Sequence, residues 1–167
     1  SWVLPTQFSS QFGETRNPDG EWMSKFFAFE SNMSITGSNA DFRGLIKPSQ
    51  QGNLLAYIAK GLGISTDVST DLPTDVKVVA DKAIVELKKT GKNSLVVAGS
   101  NNKAIQILVN AINAKLGAYT TTININNPIN LFKSDDAKMN QLVQDVIAGK
   151  KANEAIMKLY KEEKISP

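Results

Sequence analysis

Ser94–Ile125, SLVVAGSNNKAIQILVNAINAKLGAYTTTINI, reads as strand, Gly-containing turn, amphipathic helix, Gly stop and strand. Ser94–Ala98 is a short continuous apolar run, the pattern of a strand buried on both faces. Ile105, Leu108, Val109, Ile112 and Leu116 recur at helical spacing over 103–116, and Gly117 ends the pattern. Thr120–Ile125 returns to strand-forming residues before Asn126-Asn127-Pro128 closes it. One βαβ unit of this kind predicts an α/β fold, with a parallel β-sheet flanked by helices in three Rossmann-like layers. No side chain in the unit is equipped for chemistry.

Upstream, Lys25–Glu30 predicts an aromatic-rich strand, and Ser31–Asn39 a polar loop at its carboxyl end. Pro48 opens a helix to about Leu62, with Leu54, Leu55, Ile58 and Leu62 on one face and Gly63 as its stop. Ser65–Pro73 predicts a loop. A second helix runs from about Asp75 to Thr90, with Thr74 as N-cap and Gly91 beyond its end. Val76, Val79, Ala80, Ala83 and Leu87 form its stripe. Downstream, Asp135–Ala148 predicts a helix with Met139, Leu142, Val143 and Val146 on its apolar face; its acidic start suits the positive helix terminus. Residues 152–163 predict a last helix. Residues 1–24 have no period, only a turn signal at Asn17–Gly20 and scattered anchors at Trp2, Phe8, Phe12 and Trp22. The expected division is an irregular wrapping segment (1–24), an α/β domain (25–149) and a helical tail (150–167).

With 167 residues, 41% of them hydrophobic, the chain can bury a real core. It has no Cys and no His. That excludes disulfides, thiolate nucleophiles, Cys-ligated clusters and ordinary zinc sites within it, together with His-based acid–base machinery. The net charge of +3 is small and its lysines are scattered, without a basic stripe interleaved with aromatics, so nucleic acid is not an expected partner. No apolar run approaches the roughly 20 residues that span a bilayer. The start carries neither an initiator Met nor a signal-peptide pattern, which leads us to expect a mature chain or a piece of a longer one.

Two places merit attention as sites. The turn Gly99-Ser100-Asn101-Asn102 opens a helix after a buried strand, where backbone N–H groups can hold a phosphate; it is also an ordinary βα turn with a capping Ser or Asn. The loop 31–43 mixes hydroxyls with charge, and Ser34, Thr36, Asp41 and Arg43 are its candidates for contact with a ligand or another domain. The same side chains suit a loop that satisfies its own backbone. Asn32-Met33-Ser34 fits an N-glycosylation sequon, a pattern common by chance. Asp135-Asp136 and Glu162-Glu163 are adjacent on helices and do not face each other for acid–base work. No metal ligand set is present.

Phe29-Glu30-Ser31, Ser34-Ile35-Thr36-Gly37, Ala40-Asp41, Arg43 and Lys47-Pro48-Ser49 together resemble a "VES…TLTGA.ADHR…..PSE" stretch. Leu95–Gly99 and Asn110–Gly117 resemble "LVVAG…HALNAALGN". In this order and spacing, over roughly residues 22–125, the chain is similar to the family of molybdopterin-oxidoreductase-like iron–sulfur subunits of alternative complex III. The family's His after Ala40-Asp41 is Phe42 here; its Gln-Pro-Pro before the helix is Asn101-Asn102-Lys103, and its Asn-Val-Gly after the helix is Ala118-Tyr119-Thr120. The tail 150–167 departs further, reading as helix where the family tends to a strand and an Asn-Pro turn.

The resemblance implies a fragment of a molybdopterin oxidoreductase-like fold, from the amino-terminal part that lacks the cofactor. Iron–sulfur clusters are then expected on Cys ligands elsewhere in the parent protein, and no cluster ligand carries over to any position here. The implied setting is a quinol-oxidising respiratory complex on the periplasmic side of a bacterial inner membrane. The implied partners are other domains of the parent chain and other subunits, without direct membrane insertion. In this reading the piece is a non-catalytic structural module that exposes apolar surface where partner domains belong. The alternatives are a small-ligand domain binding a nucleotide or pterin phosphate at the 99–103 turn, and an enzyme using carboxylates or Lys in a cleft.

Overall fold

A computed structural model describes residues 5–127 and 135–148, together with Met157. The chain divides into two compact units, Ser1–Pro128 and Ile129–Pro167.

The first unit is mixed α/β, a two-stranded parallel sheet flanked by helices. Its order is α1 (Pro5–Glu14), β1 (Phe27–Glu30), α2 (Ile35–Ser38), β2 (Phe42–Leu45), α3 (Gln51–Gly61), α4 (Thr74–Thr90) and α5 (Lys103–Leu116). β1 and β2 run parallel in the register Phe27↔Phe42, Ala28↔Arg43, Phe29↔Gly44 and Glu30↔Leu45. Side chains alternate across a strand, so Phe27, Phe29, Phe42 and Gly44 share one face, continued by buried Ile46. That face meets the helices: Phe29 packs against the core built from α3, α4 and α5, whose Val76 and Ile112 are fully buried. Gly44 is the floor under Phe29, since a Cβ there would lie 2.6 Å from the ring.

The apolar stripes place the helices correctly. Leu54, Leu55, Ile58 and Leu62 are buried, as are Val76, Ala80, Ala83, Val109, Ile112 and Leu116, while Leu87, Ile105 and Leu108 are half-buried. Helix ends follow local chemistry. Asn102 caps α5 by accepting from the N–H groups of Ala104 (2.9 Å) and Ile105 (3.3 Å). Gly117 ends it in the left-handed region at φ 79°. Pro48–Gln50 form a 3-10 turn leading into α3. Pro73, not Thr74, is the N-cap of α4, and Thr74 is its first residue.

Other expectations are corrected as well. Residues 1–24 are not wholly irregular, because Pro5–Glu14 is helical. The 31–39 loop contains the helical turn α2, and β2 follows where no strand was predicted. Ser94–Ala98 is not a paired strand, and neither is Thr120–Ile125. The cause lies in α5. Asn113, itself buried, accepts from Val96 N–H (2.9 Å) and donates to Val96 C=O (2.7 Å). About two turns earlier on the same helix, Gln106 donates to the carbonyls of Ala98 and Ser100. Side-chain amides thus take the places a ladder would fill. Beyond the helix, Ala118–Thr120 winds into a 3-10 turn, and the hydroxyls of Thr121 and Thr122 donate to the carbonyls of Lys92 and Ser94. The three-layer sheet of the sequence reading is therefore reduced, among the described residues, to β1 and β2.

In the second unit, α6 (Asp136–Ile147) is capped by the Asp135 carboxylate, which accepts from Lys138 N–H at 3.1 Å. Its predicted stripe is not packed: Met139, Val143 and Val146 are exposed, Leu142 is half-buried, and the buried position is Asp145, which accepts from Gln141 at 3.0 Å. The helix expected over 152–163 lies outside the described residues except for Met157.

Candidate functional site

In parallel α/β sheets ligands sit outside the carboxyl ends of the strands. The loop that follows β1, residues 31–43, lies at that end here.

Glu30 ends β1. Its carboxylate accepts from Ser34 N–H (3.1 Å), Ser34 Oγ (2.7 Å) and Arg43 Nε (2.8 Å). The Arg43 hydrogen bond, followed by that of Ser34, holds the Glu30 carboxyl below its ordinary range. Ser34 Oγ also accepts from Gly37 N–H at 2.9 Å and so caps α2. Gly37 is required by this packing, because a Cβ there would lie 1.8 Å from a Glu30 carboxylate oxygen. Asp41 faces elsewhere. It accepts a forked pair from Arg16 (2.6 and 2.9 Å) and the N–H of Phe26 (2.7 Å). Arg16 is the main reason that the Asp41 carboxyl is lowered. Arg16 donates to the Ser24 carbonyl as well, which fastens the chain after α1 to the sheet.

Of the four loop residues singled out, Ser34 and Arg43 meet on Glu30, Asp41 is engaged with Arg16, and the exposed Thr36 side chain makes no hydrogen bond among the described residues. Glu30, the centre of the cluster, was not a site candidate from sequence. The available signal was a carboxylate ending an otherwise apolar strand.

The 99–102 turn is largely self-satisfied. Asn102 Oδ1 accepts two of the first N–H groups of α5, Ser100 Oγ accepts from Asn102 N–H, and Gln106 holds the Ser100 carbonyl. Gly99 has open space where a Cβ would stand. Asn101 is exposed.

A shallow cleft of about 290 Å³ lies at the other, amino end of the strands. Phe27 and Phe42 stack there with centroids 4.9 Å apart, and Lys82 Nζ sits 4.8 Å from the Phe42 centroid. Lys25 pairs with Glu86 (2.5 Å), and Tyr57 donates to Asp81 (2.8 Å). These groups satisfy one another and leave no convergent set for chemistry.

The remaining face of the sheet carries Ala28, Glu30, Arg43 and Leu45. Leu45 is 58% exposed. Val96 and Ala98 pack against the same core as Phe29, so alternation turns Leu95 and Val97 away from it; they are 51% and 66% exposed. Parallel sheets ordinarily have both faces covered by helices. Here Ala28, Glu30 and Arg43 of that face are half-buried, with α2 against Glu30, and Leu45 is its exposed residue.

No group of His, Cys, Asp and Glu able to hold a metal ion occurs among the described residues. None of their helices is long and apolar enough to cross a membrane. No family model matches the chain, and no curated protein matches it.

Proposed function

We propose that this chain is a non-catalytic structural module of a membrane-associated quinol:electron-acceptor oxidoreductase, the cofactor-free part of its molybdopterin-oxidoreductase-like iron–sulfur subunit. The observation that carries this reading is exposed aliphatic surface on β2 and on the 94–98 segment. Leu45 stands exposed on β2, and Leu95 and Val97 on the 94–98 segment, as a piece of a larger body would leave them. The 31–43 loop supports the same reading, since its Ser34, Asp41 and Arg43 are engaged in internal bonds. In the parent protein a further layer over the sheet completes a Rossmann-like body of three layers, and the clusters sit on Cys residues outside this chain. The parent works on the periplasmic side of a bacterial inner membrane, held there by its partner subunits.

The test is the parent gene and its product. The full-length protein should carry downstream Cys-x-x-Cys-x-x-Cys runs, and the purified protein should contain iron and show cluster absorbance. A full-length protein without such runs, or iron-free after anaerobic purification, ends the assignment. A phosphate ligand at 99–102 is disfavoured because Asn102 already occupies the donors it would use.

A further inference from the structure

Asn17-Pro18-Asp19-Gly20, after α1, holds the only Asp-Gly or Asn-Gly step in the sequence, and its residues are all exposed. Gly20 N–H closes the turn on the Asn17 carbonyl at 3.3 Å, and the fixed φ of Pro18 suits its place there. Asp19 N–H is held by Asn17 Oδ1 at 3.0 Å, whereas the Asp19 carboxyl has no partner among the described residues. An unengaged carboxyl thus stands one bond short of a five-membered ring with the next amide nitrogen. Ring closure is opposed mainly by the following side chain and by a backbone that cannot turn. Here the following residue is glycine and the turn lies at the surface.

We propose that Asp19 is a site of spontaneous isoaspartate formation, a covalent modification that the chain carries out on itself. The Gly20 nitrogen attacks Cγ of the protonated Asp19 carboxyl. A C–N bond forms, and the hydroxyl leaves with the Gly20 N–H proton as one water, which gives a succinimide. Water then returns to one of the two ring carbonyls. Opening at Cγ restores aspartate; opening at the main-chain carbonyl leaves the chain running through the side chain. One water leaves and one enters, so no other reactant is needed. The competing places are closed. Asn17 and Asn127 precede prolines, which have no N–H to lose. Asn93 ends a 3-10 turn, and the next N–H, of Ser94, is held by the Gly91 carbonyl at 3.0 Å. The modification adds one methylene to the main chain between Thr15 and Ser24. There Ser24 N–H donates to the Thr15 carbonyl at 2.9 Å and Arg16 to the Ser24 carbonyl, so isoaspartate loosens the link between α1 and the sheet.

The complete chain is kept warm in mildly acidic buffer for several weeks. Isoaspartate is counted by enzymatic methyl transfer from S-adenosylmethionine and located by peptide mapping. Methyl acceptance should rise steadily at unchanged protein mass, with Asp19 as the main site. Asp19→Glu should abolish it, and Gly20→Ala should slow it severalfold. Both positions are exposed, and circular dichroism checks that each variant is folded. A main site other than Asp19, equal acceptance in either folded variant, or isoaspartate that appears at Asp19 only after unfolding in urea would overturn the proposal.

Discussion

Gly37 and Gly44 show how single missing Cβ atoms hold the sheet's two faces. At Gly44 the neighbour is the ring of Phe29, rigid and packed in the core, so Gly44→Ala must push it. Overpacking of this kind costs about 1–3 kcal/mol, and urea unfolding should show the loss in the midpoint without a change of slope. At Gly37 the neighbour is the tip of Glu30, which can swing away but only by leaving Ser34 and Arg43. Gly37→Ala should therefore lower the melting temperature in the parent background. In a Glu30→Ala background the same change should be neutral or stabilising, since Ala is the better helix residue and the obstacle is gone. A loss of equal size in both backgrounds would show that the glycine serves something other than the carboxylate. Gly37 and Arg43 were readable as a pattern, whereas the contact that makes them necessary spans residues 30–43 and has no local signature.

At the scale of elements, α5 holds the 94–98 segment with Asn113 and Gln106 instead of letting it pair. Asn113→Leu would leave both main-chain groups of Val96 without a partner in a half-buried place. The expected cost is about 1–3 kcal/mol, with faster hydrogen exchange at Val96 N–H. Asn110→Leu, on the exposed side of the same helix, should change stability by no more than about 0.5 kcal/mol. The legibility of the fold divides along this line. Helices were legible because burial imposes a 3.6-residue period on Leu54–Leu62, Val76–Leu87 and Ile105–Leu116, and Gly117 marks an end by its backbone. Strands were not, because pairing is a property of two distant segments. LVVA looks the same whether its edge meets a strand or an amide from Asn113. β2 escaped notice since Phe42–Leu45 includes a glycine and an arginine, and only the register with β1 explains both. Of the candidate site, Ser34 and Arg43 were found by type, but Glu30, which unites them, was not.

For the first unit as a whole, three carboxylates held by cations shape its acid limit. Glu30 is lowered chiefly by Arg43, Asp41 chiefly by Arg16 and Glu86 chiefly by Lys25. A carboxylate whose folded value lies below its unfolded one contributes stability that is fully present above the unfolded value, near pH ~4, and is lost as pH falls through the folded value. The urea midpoint should therefore be level from about pH 7 to about pH 5 and fall below about pH 4. Asp41→Asn removes the forked pair with Arg16 and the only ionisable acceptor of the Phe26 N–H. It should lower the plateau while making the acid limb shallower, because one of the three protons taken up on unfolding is gone. All three groups are partly solvated, so the change in slope will be well short of that for a buried pair. The same substitution loosens the α1 end of the chain, whose remaining ties include the edge-to-face contact of Phe12 with Phe26, the Arg16 bond to the Ser24 carbonyl and the Thr15–Ser24 bonds. Limited proteolysis between residues 14 and 24 should then speed up at neutral pH, where Asp41 in the parent is ionised. If cleavage there is unchanged while the acid limb flattens, Arg16–Asp41 tunes titration without fastening α1, and the clamp must be assigned to the aromatic contact.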